Sequence, residues 1–553
     1  MSQPISQPGP AILARTADGR ALTLAPAPGR TLAQVLFLAG VWAEVPLCAG
    51  LGRCGLCRVR FVSPPPAARA DEVRRLGATA VAQGWRLSCL HPAEACEIEL
   101  PRPVRAAPRV AGHPRRETRP GDLALAVDLG TTSLHWSLLR VFPRGGGFAR
   151  LAAGRELNPQ MGLGGEVMSR LALAASPEGL ALLRGLVLDR LRGLVRSLSD
   201  DAGAPVTRLA VAGNSAMLSI LTGRDAPGLR AAPYRLDWAA GEETALAPDT
   251  HPDLPPALLP PLLAPFVGAD LSAGLAALHF TAPEAGGAPD APWLLLDLGT
   301  NGEFVLCLPD GSLLGASVPM GPALEGVGLS LGRTAGPGAV VRYDLTPAGL
   351  TPRLFEDQPA RPGDAPGLTG TGYLSLTARL LQAGLLARDG RFAPPGPDAP
   401  PLARRLGRAL VRGEGGEPRL VLPGGQGGEL ELPASDVEEL LKVKAACNMA
   451  IARLLAEAGL RATDLRSLQL AGALGEHADP ADLAELGFIP PSLPPRTVKA
   501  GNTSLRGAEL LLARPEARTW TAALPGRFRV LDLTDDPDFQ TGYLARMHFT
   551  YVP

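Results

Sequence analysis

The sequence predicts a multidomain protein in which a small α+β domain precedes a larger, internally duplicated α/β domain. Five of the seven cysteines lie before residue 100, among short segments typical of strands and one amphipathic helix. From residue 122 onward strands alternate with helices, and a strand–turn–strand pattern around Asp128 recurs around Asp297, which indicates a duplicated half-domain. A chain of 553 residues is also too long for a single hydrophobic core.

Composition favours a globular cytoplasmic protein. With 54 basic and 54 acidic residues, the chain has no net charge with which to attract nucleic acid or an anionic membrane. The opening MSQPISQPGP lacks the basic and apolar parts of a signal peptide, and no uninterrupted apolar run is long enough to cross a membrane. We therefore expect no nucleic-acid partner, no membrane and a cytoplasmic location, where clustered cysteines indicate a metal site rather than disulfides.

Residues 1–104 form the predicted N-terminal domain. AILARTADGRALTLAPAPG has the pattern of a hairpin, TLAQVLFLAGV that of an amphipathic helix, and CRVRFV and CEIELP those of short strands. Residues 105–121 are rich in Pro and Arg and have no apolar period, so they are predicted to be a semi-extended linker.

The larger domain is predicted over residues 122–553, with two lobes at about 122–290 and 291–553. ALAVDLGTTSLHWSLLRV and WLLLDLGTNGEFVLCL each read as two apolar strands joined by a tight turn. GYLSLTARLLQAGLL and SDVEELLKVKAACNMAIARLLAEAGL have helical periods, and the second is predicted to begin with a capping box of Ser435 and Glu438 and to end near Gly459.

Four cysteines are the candidate metal ligands, namely Cys48, Cys54, Cys57 and Cys89. The first three form C-x5-C-x2-C, and the fourth follows after 31 residues. Glycines between them allow a loop to turn its amides toward inorganic sulfide, and the spacing is similar to that of adrenodoxin-like ferredoxins, so we predict a 2Fe-2S cluster. Zinc remains the alternative, because four thiolates also suit that metal. The other three cysteines are expected to pack in strands or helices.

The two strand–turn–strand patterns are candidate phosphate-binding elements. A Walker A loop is excluded, since each of the three lysines follows Leu or Val rather than Gly. Turn amides and hydroxyls can instead cradle phosphate oxygens, while Asp128 and Asp297 could hold hydrated Mg²⁺ or orient an attacking water; which carboxylate does which stays open. The other candidate residues are Gly130, Thr131, Thr132, Gly299, Thr300, Asn301, Gly302 and Glu303.

Further segments follow these turns in a consistent order: AVAGNSAM (210–217), PMGPALEGVGLSLG (319–332), LQLAGALGEH (468–477) and AGNTSLRGA (500–508). This series resembles the superfamily of acetate kinase, sugar kinases, heat-shock cognate proteins and actin (ASKHA). The resemblance implies an actin-like, ribonuclease-H-like ATPase fold, with Gly472 and its neighbours close to the adenosine of ATP. Ala473 departs from the pattern, because a second Gly is common there.

An iron–sulfur domain joined to an ASKHA domain resembles the reductive activators of corrinoid proteins. The resemblance implies a β-grasp-like 2Fe-2S ferredoxin domain and ATP-dependent, Mg²⁺-assisted reduction of Co(II) to Co(I) on a separate corrinoid (cobalamin-type) methyl-transfer protein. Asp128 and Asp297 would be the catalytic residues. An external low-potential electron donor would supply the cluster.

The chain carries no D-x-H-x-x-G corrinoid signature. The nearest string, Asp249-Thr250-His251, continues Pro-Asp-Leu, so the corrinoid is expected on the partner and His251 at the surface. Two alternatives stay open: a small-molecule kinase with a regulatory iron–sulfur domain, and a pure electron carrier whose ATPase-like half is a docking scaffold.

Overall fold

A computed structural model of the 553-residue chain describes residues 11–42, 45, 47–48, 50–102, 109–111, 121–143, 147–280, 288–299, 301–320, 324, 329–359, 367–413, 416–424, 428–533 and 536–553.

The N-terminal domain is a mixed sheet covered by a helix. Its elements are β1 (Ile12–Thr16), β2 (Ala21–Leu24), β3 (Ala27–Thr31), α1 (Leu32–Leu38), β4 (Arg58–Phe61), α2 (Ala70–Leu76), α3 (Ala78–Ala82), β5 (Trp85–Leu87), β6 (Pro92–Ala93) and β7 (Cys96–Leu100). The sheet order is β2-β1-β7-β4-β5, with β1 parallel to β7 and the remaining pairs antiparallel. The apolar face of α1 packs on Ile12, Val59 and Ile98. This arrangement confirms the predicted β-grasp-like fold.

One short strand lies inside the range predicted as a linker. β8 (Arg109–Ala111) pairs antiparallel with residues 153–155 of the following domain. The rest of the predicted linker between 105 and 120 lies outside the described residues. The chain is therefore attached to the next sheet at 109–111, earlier than the Pro/Arg composition predicts, and the domain boundaries themselves stay a prediction.

The first lobe contains a seven-stranded sheet with helices. Its elements are β9 (Asp122–Leu129), β10 (Ser133–Val141), β11 (Phe148–Leu157), α4 (Val167–Leu173), α5 (Pro177–Ala202), β12 (Val206–Gly213), α6 (Ser215–Thr222), β13 (Glu243–Thr244), β14 (Ala257–Leu258) and α7 (Ala269–His279). The order is β13-β14-β12-β9-β10-β11-β8, in which β9 is antiparallel to β10 and parallel to β12.

The second lobe repeats this arrangement. Its elements are β15 (Trp293–Leu298), β16 (Asn301–Cys307), β17 (Leu313–Pro319), β18 (Ala339–Thr346), β19 (Gly349–Leu354), β20 (Gly367–Leu368), α8 (Gly370–Gln382), α9 (Pro401–Gly407), β21 (Leu410–Arg412), β22 (Pro418–Pro423), β23 (Glu429–Pro433), α10 (Ala434–Glu457), β24 (Ser467–Ala471), α11 (Gly472–His477), α12 (Pro480–Glu485), β25 (Thr497–Gly501), α13 (Thr503–Ala513), α14 (Pro515–Ala522), β26 (Phe528–Val530) and α15 (Phe539–Leu544). The main sheet has the order β25-β24-β15-β16-β17-β26, with β15 antiparallel to β16 and parallel to β24. Because β15 has the same neighbours as β9, the predicted duplication is confirmed.

Two helices, α7 and α13, connect the lobes. α13 packs on a face of the first sheet made of small residues such as Ala124 and Ala210. α7 packs on the second sheet through Leu271 and Leu275. The two helices approach closely because Gly507 has no side chain; a Cβ there would lie 1.9 Å from the carbonyl oxygen of Ala273.

The long helix α10 begins differently from the prediction. Its N-cap is Pro433 rather than Ser435, because β23 runs directly into the helix. The Ser435 N–H donates to the carboxylate of Glu417 at 3.0 Å, so a distant side chain replaces the predicted capping box. None of the helices in the described residues has the length and apolar character of a membrane span.

Candidate functional site

The four candidate cysteines line one cavity of about 190 Å³. Cys48, Cys54 and Cys57 lie between α1 and β4, and Cys89 lies just after β5. Gly162 of the first lobe lines the same cavity, so the N-terminal domain does not enclose it alone. Cys96 is on β7 and is not among the lining residues, in agreement with its predicted packing role.

Glycines shape the cysteine loop as predicted. Gly50, Gly52 and Gly55 have φ angles of +101°, +68° and +71°, a region that residues with a Cβ rarely adopt. The loop turns backbone donors toward sulfur: the Cys54 N–H donates to Sγ of Cys48 at 3.5 Å. Donors of this kind stabilise thiolates or metal-bound sulfur.

The four thiols influence one another's pKa values, most strongly Cys48 with Cys54 and Cys57 with Cys89. A hydrogen bond with Cys54 lowers the pKa of Cys48, and that bond raises the pKa of Cys54. A hydrogen bond with Cys89 likewise raises the pKa of Cys57. Among the described residues, no three His, Cys, Asp or Glu side chains surround a point that one metal ion could occupy. Four thiols around one cavity, each close enough to shift the pKa of a neighbour, match the four cysteine ligands of a 2Fe-2S cluster.

A buried carboxylate supports the Cys89 segment. Glu72 of α2 accepts hydrogen bonds from the Leu87 N–H at 2.7 Å and contacts Nε2 of His91 at 2.8 Å. Glu72 is fully buried. The residues on both sides of Cys89 are thus tied to one helix.

The first predicted phosphate turn follows β9. Gly130 is required there, because a Cβ would lie 2.7 Å from the carbonyl oxygen of Ser133. Thr131 and Thr132 are buried. Asn158 donates to the carbonyl of Gly130 at 2.7 Å, and the buried Arg170 donates to that of Thr131 at 2.5 Å. Asn158 and Arg170 therefore fix the backbone of the turn.

Asp128 lies at the end of β9 and accepts several hydrogen bonds. The donors are Asn502 at 2.7 Å and Ser504 at 2.9 Å, both at the start of α13, and Nδ1 of His135 lies 3.4 Å away. Burial raises the pKa of Asp128, but His135, Asn502 and Ser504 lower it by more, so the net pKa is below its ordinary value. Asp128 is accordingly an oriented carboxylate anion.

The second turn is organised like the first but is more acidic. Asp297 on β15 lies opposite Glu303 on β16, as Asp128 lies opposite His135. Burial, together with the charges of Asp270 and Asp128, raises the pKa of Asp297 to about 7. Burial also raises the pKa of Glu303, with Asp270 and Asp297 adding to the shift.

The other residues predicted to bind the nucleotide near the second turn lie partly in the turn and partly in the neighbouring strand and helix. Asn301 and Gly302 are in β16 rather than in the turn, and a Cβ on Gly302 would lie 2.2 Å from Sδ of Met320. The Gly299 N–H donates to the carbonyl of Asn301 at 3.1 Å. Thr300 lies outside the described residues. Gly472 has φ +80°, and a Cβ there would lie 2.4 Å from Oδ1 of Asp297, which places it against the acidic cleft.

Asp270, at the start of α7, is a cleft residue that the sequence reasoning missed. Burial and the charge of Asp128 raise the pKa of Asp270 to about 7. Its only sequence signal is an acidic residue in the first turn of an otherwise apolar helix, which is an ordinary helix-start pattern. Because these partly buried carboxylates repel one another, the donor set suits a hydrated divalent cation.

Ser330, from the sequence segment 319–332, is hydrogen-bonded into the core of the second lobe. The Ser330 hydroxyl donates to Asp436 at 2.7 Å, and so does the hydroxyl of Tyr373. Asp436 is in the first turn of α10, and both it and Tyr373 are buried. Ser330 is thereby fixed to two helices of the lobe.

Two family models match the chain. The model described as the RACo middle region matches residues 123–282, and the model described as the C-terminal domain of RACo, the ASKHA domain, matches residues 291–552.

Named relatives cover most of the chain. The chain is 27% identical over 452 residues to the corrinoid activation enzyme RamQ of Eubacterium limosum, covering 79% of this chain and 72% of that protein. It is 28% identical over 422 residues to the [Co(II) methylated amine-specific corrinoid protein] reductase of Methanosarcina barkeri, covering 70% of each. A solved structure titled reductive activator for corrinoid, iron-sulfur protein shares the fold, with a TM-score of 0.63 at 21% identity over 98% of both chains.

Proposed function

Because this chain belongs to the RACo family of corrinoid-protein activators, we propose that it uses ATP to drive the reductive activation of a corrinoid protein. In this reaction one electron passes from a 2Fe-2S cluster to Co(II) on the partner, which becomes Co(I). The observation that carries the proposal is that one chain places four cysteines around a single cavity and also contains a duplicated nucleotide-type cleft with an acidic centre.

We assign the cluster ligands to Cys48, Cys54, Cys57 and Cys89. Their C-x5-C-x2-C spacing, similar to that of adrenodoxin-like ferredoxins, and the single cavity that all four line support a binuclear cluster over a single zinc ion. When bound, the cluster supplies one electron at a time. The chain's own contribution is to exclude water from Cys48 and Cys57, which are each 2% exposed, and to direct backbone N–H groups at sulfur.

We assign different roles to the two catalytic aspartates. Asp128 is oriented by Asn502 and Ser504 and is ionised, so it suits the acceptor that orients the attacking water. Asp297 and Asp270 have raised pKa values because of burial and the charges of neighbouring carboxylates. They suit the hydrated Mg²⁺ that accompanies ATP, whose charge would offset that repulsion.

The turns would hold the phosphates. Gly130, Thr131 and Thr132 in the first turn would offer backbone N–H groups and hydroxyls to the phosphates, and Gly299 begins the second turn directly after β15. Gly472 borders the acidic centre, in keeping with an approach to the nucleotide.

ATP is needed because the reduction is uphill for an ordinary iron–sulfur cluster. For one electron, a difference in reduction potential of about 59 mV corresponds to about 1.4 kcal/mol. If the potentials of the cluster and of the cobalt differ by a few hundred millivolts, the transfer costs roughly 5 to 10 kcal/mol. A nucleotide-dependent conformational change can offset a cost of this size if it alters the environment of the cobalt or of the cluster.

The corrinoid itself belongs to the partner. His251, the histidine nearest to a corrinoid signature, has one ring nitrogen 2.9 Å from the hydroxyl of Thr250 and the other 3.0 Å from the carboxylate of Asp189. Its side chain is 11% exposed and contacts Asp189, whose side chain is 74% exposed, so His251 lies partly covered at the protein surface. Both nitrogens are occupied within the protein, which leaves neither for cobalt.

The test is an anaerobic assay of the reduced protein with candidate corrinoid proteins, with and without ATP, that follows the Co(I) absorption band. We expect Co(I) to accumulate only when a corrinoid partner, ATP and an external reductant are all present. ATP-dependent phosphorylation of a small molecule, with no Co(I) from any corrinoid protein, would overturn the proposal in favour of a kinase.

A further inference from the structure

The N-terminal domain contacts both lobes of the nucleotide-binding domain at two separate points. From this we propose that the ferredoxin domain is docked across the nucleotide cleft by Phe37 on Gly162 and Arg75 on Ser330, so that nucleotide binding repositions the cluster. The inference rests on the proposed function, because it assumes a cluster in the cysteine cavity and ATP in the cleft.

The first contact joins α1 to the first lobe. Phe37 packs so closely over Gly162 that a Cβ on Gly162 would lie 2.1 Å from Cγ of the ring. The next residue, Leu38, packs against the first lobe's hydrophobic core. Gly162 also lines the cysteine cavity, so this contact brings the first lobe to the wall of the cluster site.

The Gly162 segment is connected to the first phosphate turn. Asn158 lies four residues earlier. Its side-chain amide donates to the carbonyl of Gly130 at 2.7 Å, and its backbone N–H donates to the carbonyl of Thr132 at 2.9 Å. A nucleotide phosphate that moves the turn would therefore pull on the segment that carries Gly162.

The second contact joins α2 to the second lobe. The guanidinium of Arg75 donates to the carbonyl of Ser330 and, at 2.8 Å, to the carbonyl of Cys54. Arg75 passes over Gly55, where a Cβ would lie 2.9 Å from its Nε. One side chain thus links the backbone of Cys54 to that of Ser330, and Ser330 is anchored in the lobe core by Asp436, which also accepts a hydrogen bond from Tyr373.

A body attached to both sides of a cleft responds to movement of the cleft. If the lobes rotate around a nucleotide, the Gly162 and Ser330 contacts cannot both keep their geometry, because the ferredoxin domain is a packed unit. The positive charge of Arg75 beside Cys54 would then shift relative to the cluster, which changes the electrostatic environment of the iron.

Two variants with matched controls test the docking. In Gly162→Ala the new methyl group would overlap the ring of Phe37. In the control Gly185→Ala, in α5, the new methyl group has no atom within 4 Å. Arg75→Gln removes the bridging guanidinium, whereas Arg74→Gln removes its exposed neighbour, which pairs with Asp71. Hydrogen exchange of the full chain is measured over 70–76 and 329–333, together with the EPR spectrum of the reduced cluster with and without a non-hydrolysable ATP analogue.

We expect both interface variants to raise exchange in these segments roughly tenfold, the factor that corresponds to about 1.4 kcal/mol. We also expect the analogue to change the EPR spectrum of the wild-type protein and of both controls, but not that of the interface variants. Unchanged exchange in both variants, or no response of the wild-type spectrum in protein that binds the analogue, would overturn the docking proposal alone. Protein that takes up no cluster or binds no ATP overturns the proposed function and the docking proposal with it.

Discussion

Nδ1 of His135 lies 3.4 Å from Oδ2 of Asp128, the residue directly opposite it in the β9–β10 ladder. The equivalent position in the second lobe is Glu303, opposite Asp297. The duplicated turns therefore differ electrostatically: interactions with His135, Asn502 and Ser504 hold the pKa of Asp128 below its ordinary value, whereas burial and the charges of Asp270 and Asp128 raise the pKa of Asp297 to about 7. The two duplicated lobes thus place two different groups in the same cleft. Asp128 is an ionised carboxylate, whereas Asp297 retains its proton up to a higher pH.

Asp128→Asn is expected to lower ATP hydrolysis at least a hundredfold, because the amide cannot accept hydrogen bonds as the carboxylate does and carries no charge to orient water. Phosphate release measures the effect. Asp122→Asn, at the exposed start of the same strand, is the matched control and should hydrolyse ATP normally. Corrinoid reduction that continues unchanged in Asp128→Asn would show that the ATPase-like half is only a docking scaffold.

Cys57→Ser is expected to abolish the 2Fe-2S cluster, since it removes a thiolate that lines the cavity. Cys96→Ser should retain full iron and sulfide, because Cys96 is on β7 and does not line that cavity. Iron analysis and the visible absorption spectrum distinguish the two variants. A colourless wild-type protein that contains one zinc per chain would instead support the zinc alternative.

Asp270→Asn is expected to stabilise the nucleotide-free protein increasingly as the pH rises. Burial and the charge of Asp128 raise the pKa of Asp270 to about 7 from the ordinary 3.8, so the folded protein holds this proton more tightly than the unfolded chain does. That stabilisation is full below pH 3.8 and is lost as the pH rises to about 7. Asparagine stays neutral throughout, so the advantage of the variant should grow by on the order of 2 kcal/mol between pH 5 and pH 8.

Urea unfolding of the wild-type protein, Asp270→Asn and the surface control Asp122→Asn at the two pH values checks this. A difference between Asp270→Asn and wild type that does not change with pH would mean that the Asp270 carboxyl is already ionised at pH 5.

Most of the fold was predictable because patterns within short stretches of the sequence determine it. Strand periodicity and the recurrence of the Asp-Leu-Gly-Thr turn identify the two lobes, and the cysteine spacing identifies the loop that the glycines then shape. Helix α10 shows the limit of such reasoning: Ser435 and Glu438 have the spacing of a capping box, but β23 leads into the helix at Pro433 and Glu417 supplies the acceptor.

The cleft was predictable only in part, because its other members come from distant parts of the chain. Asn502 and Ser504 bind Asp128 across more than 370 residues of sequence. Asp270 reaches the same centre from a helix whose sequence has no catalytic signature. The link between Arg75 and Ser330 spans two domains. Contacts of this kind depend on how the elements pack and leave no local spacing to recognise.

Gly472→Ala tests whether the position of Asp297 controls hydrolysis. Gly472 and Gly459 both have positive φ angles, +80° and +64°, so an alanine at either site costs about 1 kcal/mol or more of stability. Only at Gly472 does the new Cβ meet the catalytic carboxyl, 2.4 Å from Oδ1 of Asp297, whereas at Gly459 it meets nothing within 4 Å. A displacement of about 1 Å at a reacting centre can cost a hundredfold in rate. We therefore expect similar losses of stability in Gly472→Ala and Gly459→Ala, but a tenfold or greater loss of ATP hydrolysis only in Gly472→Ala. Equal hydrolysis rates in the two variants would place Asp297 outside the chemistry of the cleft.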